Sequence, residues 1–316
     1  MEITHEANKA LEQEILQVSA GGERVTHLWP DGCYLAHLSI YRFALQFIQG
    51  AVVLDMGSGA GYGSAYLAES GAAFVEGVDV SDEAVAFSQH HFVLDNLHYQ
   101  VMDLQHAVGF KDKVFDIVFS SNTFEHVPNV LASLREAWRL MKPGGCFILA
   151  VPPITDESLK KMNVSNPYHL HIWSPRQWYH ILGLFFNEVQ PYTHVFAKSE
   201  SLPDFAAPEE TDFSEKDFVF EPLSSVEEMY HIPTMTAIFV ARDSRSEMEV
   251  PLADDDVTFV DDSFSRSLLS ALQEQYILLR EENQRLHAHI AKINQGSVMR
   301  LLNRMSSVLK HFKIIK

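Results

Sequence analysis

The chain has 316 residues, of which 47% are hydrophobic, and this length exceeds what a single core usually organises. Its formal net charge of −18 argues against a nucleic-acid backbone as the main partner, because phosphate contacts need clustered Lys and Arg. The two cysteines, Cys33 and Cys146, offer no disulfide framework, and no apolar stretch is long enough to span a bilayer. We therefore expect a cytoplasmic protein with one large domain and an appendage.

The first segment with a helical pattern of apolar residues follows a Pro-Asp-Gly break at residues 30–32 and includes residues 37–44. It predicts an N-terminal helical cap over residues 1–46. Tyr41 and Arg42 lie on this helix, directly ahead of the most informative motif of the chain.

That motif is VVLDMGSGAGYGSAY at residues 52–66, an apolar run that ends in Asp55 and continues with Gly57, Gly59 and Gly61. It predicts a buried strand, a tight turn and a helix, where backbone N–H groups approach a ligand closely. The spacing departs from the G-x-G-x-x-G dinucleotide fingerprint, and Asp55 would repel a pyrophosphate. A cationic ligand with a free amino group suits it better, and S-adenosylmethionine is such a ligand.

Four more strands are predicted, and the first two of them carry an acid at or next to their last residue. Residues 75–79 end in Asp79, placed to bind ribose hydroxyls, and residues 99–104 carry Asp103, placed to accept from an adenine amino group. Residues 115–120 form a fourth strand and residues 146–151 a fifth. The pattern predicts that the acids of the first three strands converge on one cleft.

The order and spacing of these motifs over roughly residues 24–242 resemble the class I S-adenosylmethionine-dependent methyltransferases. The resemblance implies an α/β fold, with a Rossmann-like seven-stranded methyltransferase sheet over residues 47–243 and S-adenosylmethionine as the cofactor. The cofactor contacts that it implies are Asp55, Gly57, Ser58, Gly59, Gly61, Asp79, Val80, Asp103, Leu104 and Ser120.

The stretches before the glycine turn, "ER-V" and "H…YRFA", are similar to a subgroup encoded with bacterial surface-polysaccharide (O-antigen) glycosyltransferases. In that setting Tyr41 and Arg42 would lie over the methionine end of the cofactor, with Arg42 pairing to its carboxylate. The alternative is that Tyr41 packs in the core and Arg42 is a surface charge.

Residues 121–128 follow the fourth strand and predict the acceptor side of the site. His126 would remove a proton from an acceptor hydroxyl, or else shape the pocket, and Asn122 and Glu125 would bind the substrate. The Glu125-His126 pair is also similar to a subgroup in which a further acid, three residues before the Glu, helps to hold a divalent metal. Asn122 occupies that position here, so we predict no metal.

A second acceptor-side cluster lies at residues 166–175, ahead of a helix with Pro175 at its first position. Tyr168 and His171 would bind a sugar by stacking and hydrogen bonds, and His169 would supply a second base. The two histidines on alternate residues would otherwise mark the solvent face of a strand. Because no Cys or third His lies at ligand spacing, zinc is not expected.

Residues 186–195 and 233–242 predict a hairpin that closes the sheet. The long acidic insertion at residues 198–230 would be a lid over the acceptor or a solvated excursion. An acidic linker is predicted at residues 244–263.

A heptad pattern runs over residues 264–295, with Leu272, Leu279, Leu286 and Ile293 seven residues apart. It predicts a coiled coil that forms a homo-oligomer, either a dimer or a trimer, although an amphipathic helix folded back on the catalytic domain is the alternative. Residues 297–316 predict a basic amphipathic helix that would lie on an anionic bilayer or dock on a protein. The protein would then be peripheral on the inner membrane.

The sequence therefore predicts a methyltransferase that O-methylates a sugar or phosphosugar of a lipid-linked surface polysaccharide. Its partners would be that glycan acceptor, the inner-membrane surface or a glycosyltransferase, and no nucleic acid. The alternatives are an O-methyltransferase of a small-molecule acceptor and a non-catalytic scaffold that recruits partners through its coiled coil.

Overall fold

Seven strands form one sheet whose order places the first strand beside both the second and the fourth. In the computed structural model, β1 (Val52–Met56), β2 (Phe74–Asp79), β3 (Leu97–Val101), β4 (Phe115–Ser121) and β5 (Met141–Val151) are parallel. β9 (Ala237–Ser244) runs antiparallel between β5 and β6 (Phe186–Tyr192), which gives the order β3-β2-β1-β4-β5-β9-β6. The predicted seven-stranded α/β methyltransferase sheet is confirmed.

The structure describes residues 14, 15, 18, 23–106, 109–198 and 213–252. All of them belong to the first of two units into which the chain divides, Met1–Val260. The predicted coiled coil and basic helix lie outside the described residues, so the oligomer and membrane predictions stay predictions. Among the helices that are described, none combines the length and hydrophobicity needed to cross a bilayer.

In the described part of the chain, six α-helices pack against the sheet, and short polar side chains begin most of them. Asp31, Ser81, Asn129, Asp156 and Ser174 each accept a hydrogen bond from a backbone N–H of the first turn, which satisfies a donor that the helix leaves unpaired. The helices are α1 (Gly32–Ile48), α2 (Tyr62–Glu69), α3 (Asp82–His91), α4 (Val130–Leu140), α5 (Glu157–Val164) and α6 (Pro175–Gly183).

The central strands β1, β2, β4 and β5 are largely buried on both faces, which explains their near-continuous apolar sequence. In β4, Val118 packs in one apolar layer with residues of α4 and α6, while Phe119 points to the other layer with residues of α1 and α2. The helix α1 continues to Ile48, two residues beyond the predicted end of the cap, and is part of the same core.

Two other predicted segments pack more closely than expected. The described part of the acidic insertion buries Phe218 and Met229, so it is not a solvated excursion, and β8 (Phe218–Val219) pairs with β7 (Val195–Phe196). The early part of the predicted linker packs as well, because Val250 is buried and Arg135 donates to the Pro251 carbonyl at 2.9 Å.

Two valine substitutions test this core. Val118→Ala removes two methyl groups from a fully buried position and should lower the free energy of unfolding by about 2 kcal/mol. Val93→Ala removes the same groups from a side chain that is 83% exposed, and its effect should stay within about 0.5 kcal/mol. Urea unfolding of both variants measures the difference, and equal effects would contradict the assigned burial.

Candidate active site

A cavity of about 530 Å³ opens at the carboxyl ends of β1, β2 and β4. This is the topological switch point of the sheet. The chain adds β2 and β3 on one side of β1 and then β4 and β5 on its other side. One part of its wall is the glycine turn after β1, the second is the end of β2, and the third comes from the segments after β4 and α5. Residues 23–25, which precede α1, line it as well.

The glycine turn holds its shape through backbone hydrogen bonds to β2. The N–H groups of Gly57 and Ser58 both donate to the Val78 carbonyl, at 2.8 and 2.9 Å. Gly57 has φ 87°, and a Cβ atom there would collide with the side chain of Thr123. Only glycine meets both constraints, so the turn lies close against the segment after β4.

Asp79 lies at the cavity wall and organises the turn. Its carboxylate accepts hydrogen bonds from the backbone N–H groups of Gly59 and Ser81, both at 3.0 Å. Arg24 pairs with the same carboxylate at 3.3 Å. The negative charge of Asp79 is therefore balanced by the Arg24 guanidinium and by two backbone N–H groups.

Asp55 lies behind this wall and is fully buried. Its Oδ2 accepts from Ser64 at 2.6 Å and from Tyr41 at 3.3 Å, whereas its Oδ1 has no partner among the residues that the structure describes. Burial raises the pKa of Asp55 to about 7, although the hydrogen bonds from Ser64 and Tyr41 oppose the shift. A cationic ligand group nearby would favour its charged form.

The acceptor end of the cavity contains Glu125, His126 and His169. The Glu125 carboxyl is 1% exposed, burial raises its pKa to about 8, and its Oε2 lacks a partner within the described part of the chain. The Glu125 carbonyl accepts from the N–H groups of Leu170 and His171, at 2.8 and 3.0 Å. These bonds tie the segment after α5 to the segment after β4.

The two histidines face each other across this end. The rings of His126 and His169 meet edge to face, with centroids 4.9 Å apart. The Nδ1 of His126 donates to the Tyr168 carbonyl at 2.9 Å, which leaves Nε2 as the acceptor nitrogen of the neutral ring. Burial lowers the pKa of His126, so the ring is neutral near pH 7.

Glu23 is a site residue that the sequence pattern did not indicate. Its Oε2 accepts from Asn166 Nδ2 at 2.5 Å and lies 3.6 Å from His169 Nε2. The hydrogen bond with His169 lowers the pKa of Glu23 to about 2 and outweighs the effect of burial. In the sequence, only the "ER-V" stretch drew attention to Glu23. That stretch marked a family resemblance and gave Glu23 no chemical role.

The structure brings most of the predicted site residues together. The cavity is lined by Tyr41, Gly57, Ser58, Gly59, Asp79, Val80, Asn122, Glu125, His126, Tyr168 and His169. Gly61 begins α2 behind the turn.

Other predicted contacts point elsewhere, so the three acids do not converge on one cleft. The carboxylate of Asp103 is half-exposed. It accepts hydrogen bonds from the backbone and side chain of Gln105, and these bonds close the turn after β3. Leu104 next to it is buried in the core. Ser120 Oγ donates to the Met56 carbonyl at 2.7 Å, inside the sheet.

Arg42 and His171 also make structural contacts in place of the predicted ligand contacts. The Arg42 guanidinium donates to the carbonyls of Glu215 and Phe218, at 3.0 and 2.5 Å, and so holds the insertion rather than a cofactor carboxylate. His171 Nε2 donates to the Val127 carbonyl at 2.8 Å. Arg42 lies on the predicted N-terminal helix and His171 in the predicted acceptor-side segment, but neither residue lines the cavity.

Comparison with known proteins agrees with this geometry. Residues 54–149 match a family model described as a methyltransferase domain. The ubiquinone biosynthesis O-methyltransferase of Neisseria meningitidis serogroup C is 32% identical over 126 residues, covering 39% of this chain and 53% of that protein. The phosphoethanolamine N-methyltransferase of Triticum aestivum is 31% identical over 103 residues, covering 32% of this chain and 20% of that protein.

The chain thus spans about half the length of the ubiquinone-pathway relatives that it matches. A solved S-adenosylmethionine-dependent methyltransferase from Thermotoga maritima shares the fold, with a TM-score of 0.50 at 14% identity over 66% of this chain and 89% of that one. Residues 54–149 thus carry a methyltransferase domain, with S-adenosylmethionine as its cofactor. The named relatives are not surface-polysaccharide enzymes, so that subgroup resemblance remains a proposal.

The residues present fit this cofactor. Asp79 lines the cavity and can bind ribose hydroxyls, and the glycine turn lets the nucleoside lie close against the backbone. Tyr41 lines the cavity and donates to Oδ2 of the buried Asp55, and a carboxylate behind the wall favours a ligand that carries a sulfonium and an ammonium. At Gly59 a Cβ atom would meet no protein atom within 4 Å, which leaves room for a ligand against the backbone.

Two glycine substitutions test the cofactor site. Gly59 and Gly50 have φ of 53° and 69°, and an added Cβ meets no protein atom within 4 Å at either position. Both alanine variants should lose about 1 kcal/mol of stability from the strained backbone. Only Gly59→Ala should also weaken S-adenosylmethionine binding, by about tenfold or more, because Gly59 lines the cavity.

Calorimetric titration with S-adenosylmethionine and with S-adenosylhomocysteine measures the affinities, and urea unfolding measures the stabilities. Equal affinities for the two alanine variants would place the cofactor elsewhere.

Proposed function

We propose that this chain is an O-methyltransferase that moves the methyl group of S-adenosylmethionine to a hydroxyl of an acceptor held between His126, His169 and Tyr168. The supporting observation is that two imidazoles and a buried carboxyl share one cavity with the glycine turn. Oxygen acceptors of the hydroxyl type need to lose a proton, and a neutral imidazole is suited to assist that loss.

The work of the protein is then mainly alignment, exclusion of water and control of the acceptor proton. When bound, the cofactor supplies a methyl group attached to a positively charged sulfur. The sulfur is the leaving group, and it departs without acid assistance. Asp79 and the glycine turn hold the nucleoside, and the buried Asp55 favours the cationic end. The neutral His126 ring, fixed by its bond to the Tyr168 carbonyl, presents Nε2 to the acceptor end.

For the acceptor we propose a sugar or phosphosugar of a lipid-linked surface polysaccharide. Tyr168 and Leu170 line the cavity and are 44% and 55% exposed, so they offer an apolar rim on which a sugar ring can stack. The coiled coil and basic helix predicted at the C-terminal end would assemble the enzyme at the cytoplasmic face of the membrane that carries such an acceptor.

The rival acceptor is a small phenol or quinone precursor, which the names of the O-methyltransferase relatives favour. A third possibility is a scaffold that binds the cofactor without turnover. Methyl-transfer assays against glycan fragments, nucleotide sugars and catechols, on full-length and 1–252 chains, distinguish the three. Turnover of catechols alone would overturn the glycan proposal, and cofactor binding without any turnover would favour the scaffold.

Replacement of the predicted base tests the chemistry. His126→Ala should lower kcat at least about 100-fold while the Kd for S-adenosylmethionine changes by less than about twofold. His231→Ala, which removes an exposed imidazole outside the cavity wall, should leave both constants unchanged. A phosphate-oxygen acceptor is already anionic, so full activity of His126→Ala would indicate such an acceptor.

The rate should also depend on pH in a defined direction. Because burial lowers the pKa of His126, the neutral form needed for catalysis persists below the usual histidine pKa of about 6.5. Activity should therefore be present at neutral pH and fall as the pH drops through the lowered pKa. Single-turnover rates measured from about pH 8 down to about pH 5, a range that spans the usual histidine pKa, locate the midpoint. An acid limb centred above pH about 6.5 would contradict this assignment.

A further inference from the structure

One cluster at the acceptor end joins three segments that are distant in the sequence. Glu23 precedes α1, His126 follows β4, and His169 follows α5. Each offers one ligand atom, and these three atoms lie within 4.8 Å of one another. Two imidazoles and a carboxylate at such distances form a donor set that transition-metal sites use.

The surrounding contacts orient these donors. His126 donates its Nδ1 proton to the Tyr168 carbonyl, which is the outer hydrogen bond that metal-ligating histidines commonly make. Asn166 donates to Glu23 Oε2 and holds that carboxylate at the cluster. Both arrangements leave a ligand atom directed toward the other members of the set.

A separate observation indicates a missing partner at the same place. Glu125 lines the cavity with a side chain that is 1% exposed, and its Oε2 has no partner in the described chain. Its Oε1 lies 3.9 Å from His126 Nε2, and the buried Nδ1 of His169 is also without a partner there. Unpaired buried polar atoms are costly, and clusters of them mark ligand positions.

We propose that Glu23, His126 and His169 bind one divalent transition-metal ion, Zn²⁺ or Mn²⁺, at the acceptor end of the cavity. Two imidazole ligands favour these ions over Mg²⁺ and Ca²⁺, which prefer oxygen. Ligand atoms around an ion with bonds of about 2.1 Å lie roughly 3 to 4 Å apart, so binding requires side-chain shifts of about 1 Å. In the subgroup to which the Glu125-His126 pair is similar, an acid three residues before the Glu helps to hold the metal. Asn122 occupies that position here, and Glu23 would supply the carboxylate from another segment.

The ion would give the proposed reaction its acceptor specificity, and this part rests on the proposed function. Three protein ligands leave at least one coordination position open to the cavity. With the ion bound, His126 Nε2 is a ligand and no longer accepts the proton of the acceptor. The acceptor hydroxyl at the open position instead loses its proton to water more readily, because the ion stabilises the oxygen anion. Vicinal hydroxyls or a phosphosugar, which present two oxygens, would bind better than a single hydroxyl.

The test measures ion binding directly, on the full chain freed of metal by chelator dialysis. Titration with ZnCl₂ or MnCl₂ alone should show one site that Glu23→Gln and His169→Ala each weaken about tenfold or more. Matched substitutions of exposed residues outside the cavity wall, Glu188→Gln and His231→Ala, should leave it unchanged. Co²⁺ added to the same samples should give visible absorption bands in the wild type that Glu23→Gln alters.

S-adenosylmethionine binding is measured in parallel on the metal-free protein, and urea unfolding checks that each variant is folded. Absence of an ion site, or ion binding that all four variants retain equally, overturns the metal proposal. If the cofactor still binds and methyl transfer persists in chelator, the proposed function stands with His126 as a direct base. If the folded, metal-free wild type does not bind S-adenosylmethionine, that result would instead contradict the proposed function.

Discussion

The site depends on the contact between the glycine turn after β1 and the end of β2. Two backbone N–H groups of the turn donate to the Val78 carbonyl, and the Gly59 N–H donates to the Asp79 carboxylate. The turn passes so close to Thr123 that a side chain cannot be accommodated at Gly57. These contacts join the ends of three adjacent strands, and the cavity is the space that they leave beside the turn.

The N-terminal segment completes this cavity through two neighbouring residues of opposite charge. Arg24 pairs with Asp79 at the cofactor end, and Glu23 contacts Asn166 and His169 at the acceptor end. A short segment therefore contacts both ends of the cavity. Arg24 contacts one oxygen of the carboxylate that would bind the ribose.

The insertion has a related structural role on the other side of α1. Arg42 holds the carbonyls of Glu215 and Phe218, and Phe218 is buried with Phe196 and Ala36. The sequence pattern indicated charge and proline in this segment, which predicted a lid over the acceptor or a solvated excursion. The buried aromatic residues and the contact with Arg42 explain why the described part packs on the domain.

Most strands could be predicted from the sequence because strands buried on both faces are continuous apolar runs, and because the turn after β1 needs glycine at defined positions. The cavity-lining role of Asp79, His126 and His169 followed from their places at the carboxyl ends of strands or in the loops beside them. The orientation of Asp103, Arg42 and His171 did not follow. Arg42 and His171 donate to backbone carbonyls of neighbouring segments, and Asp103 accepts from the Gln105 N–H. These hydrogen bonds direct the three side chains away from the cavity.

The sequence by itself determined the succession of strands along the chain and the glycine turn, because apolar runs and local spacing specify these features, and the resemblance of the motifs to a known family indicated the cofactor. Only the tertiary structure decided which polar groups share the acceptor end. Glu23, His126 and His169 are far apart in the sequence, and no periodicity links them. They meet because packing of the segments before α1, after β4 and after α5 brings their side chains within 4.8 Å.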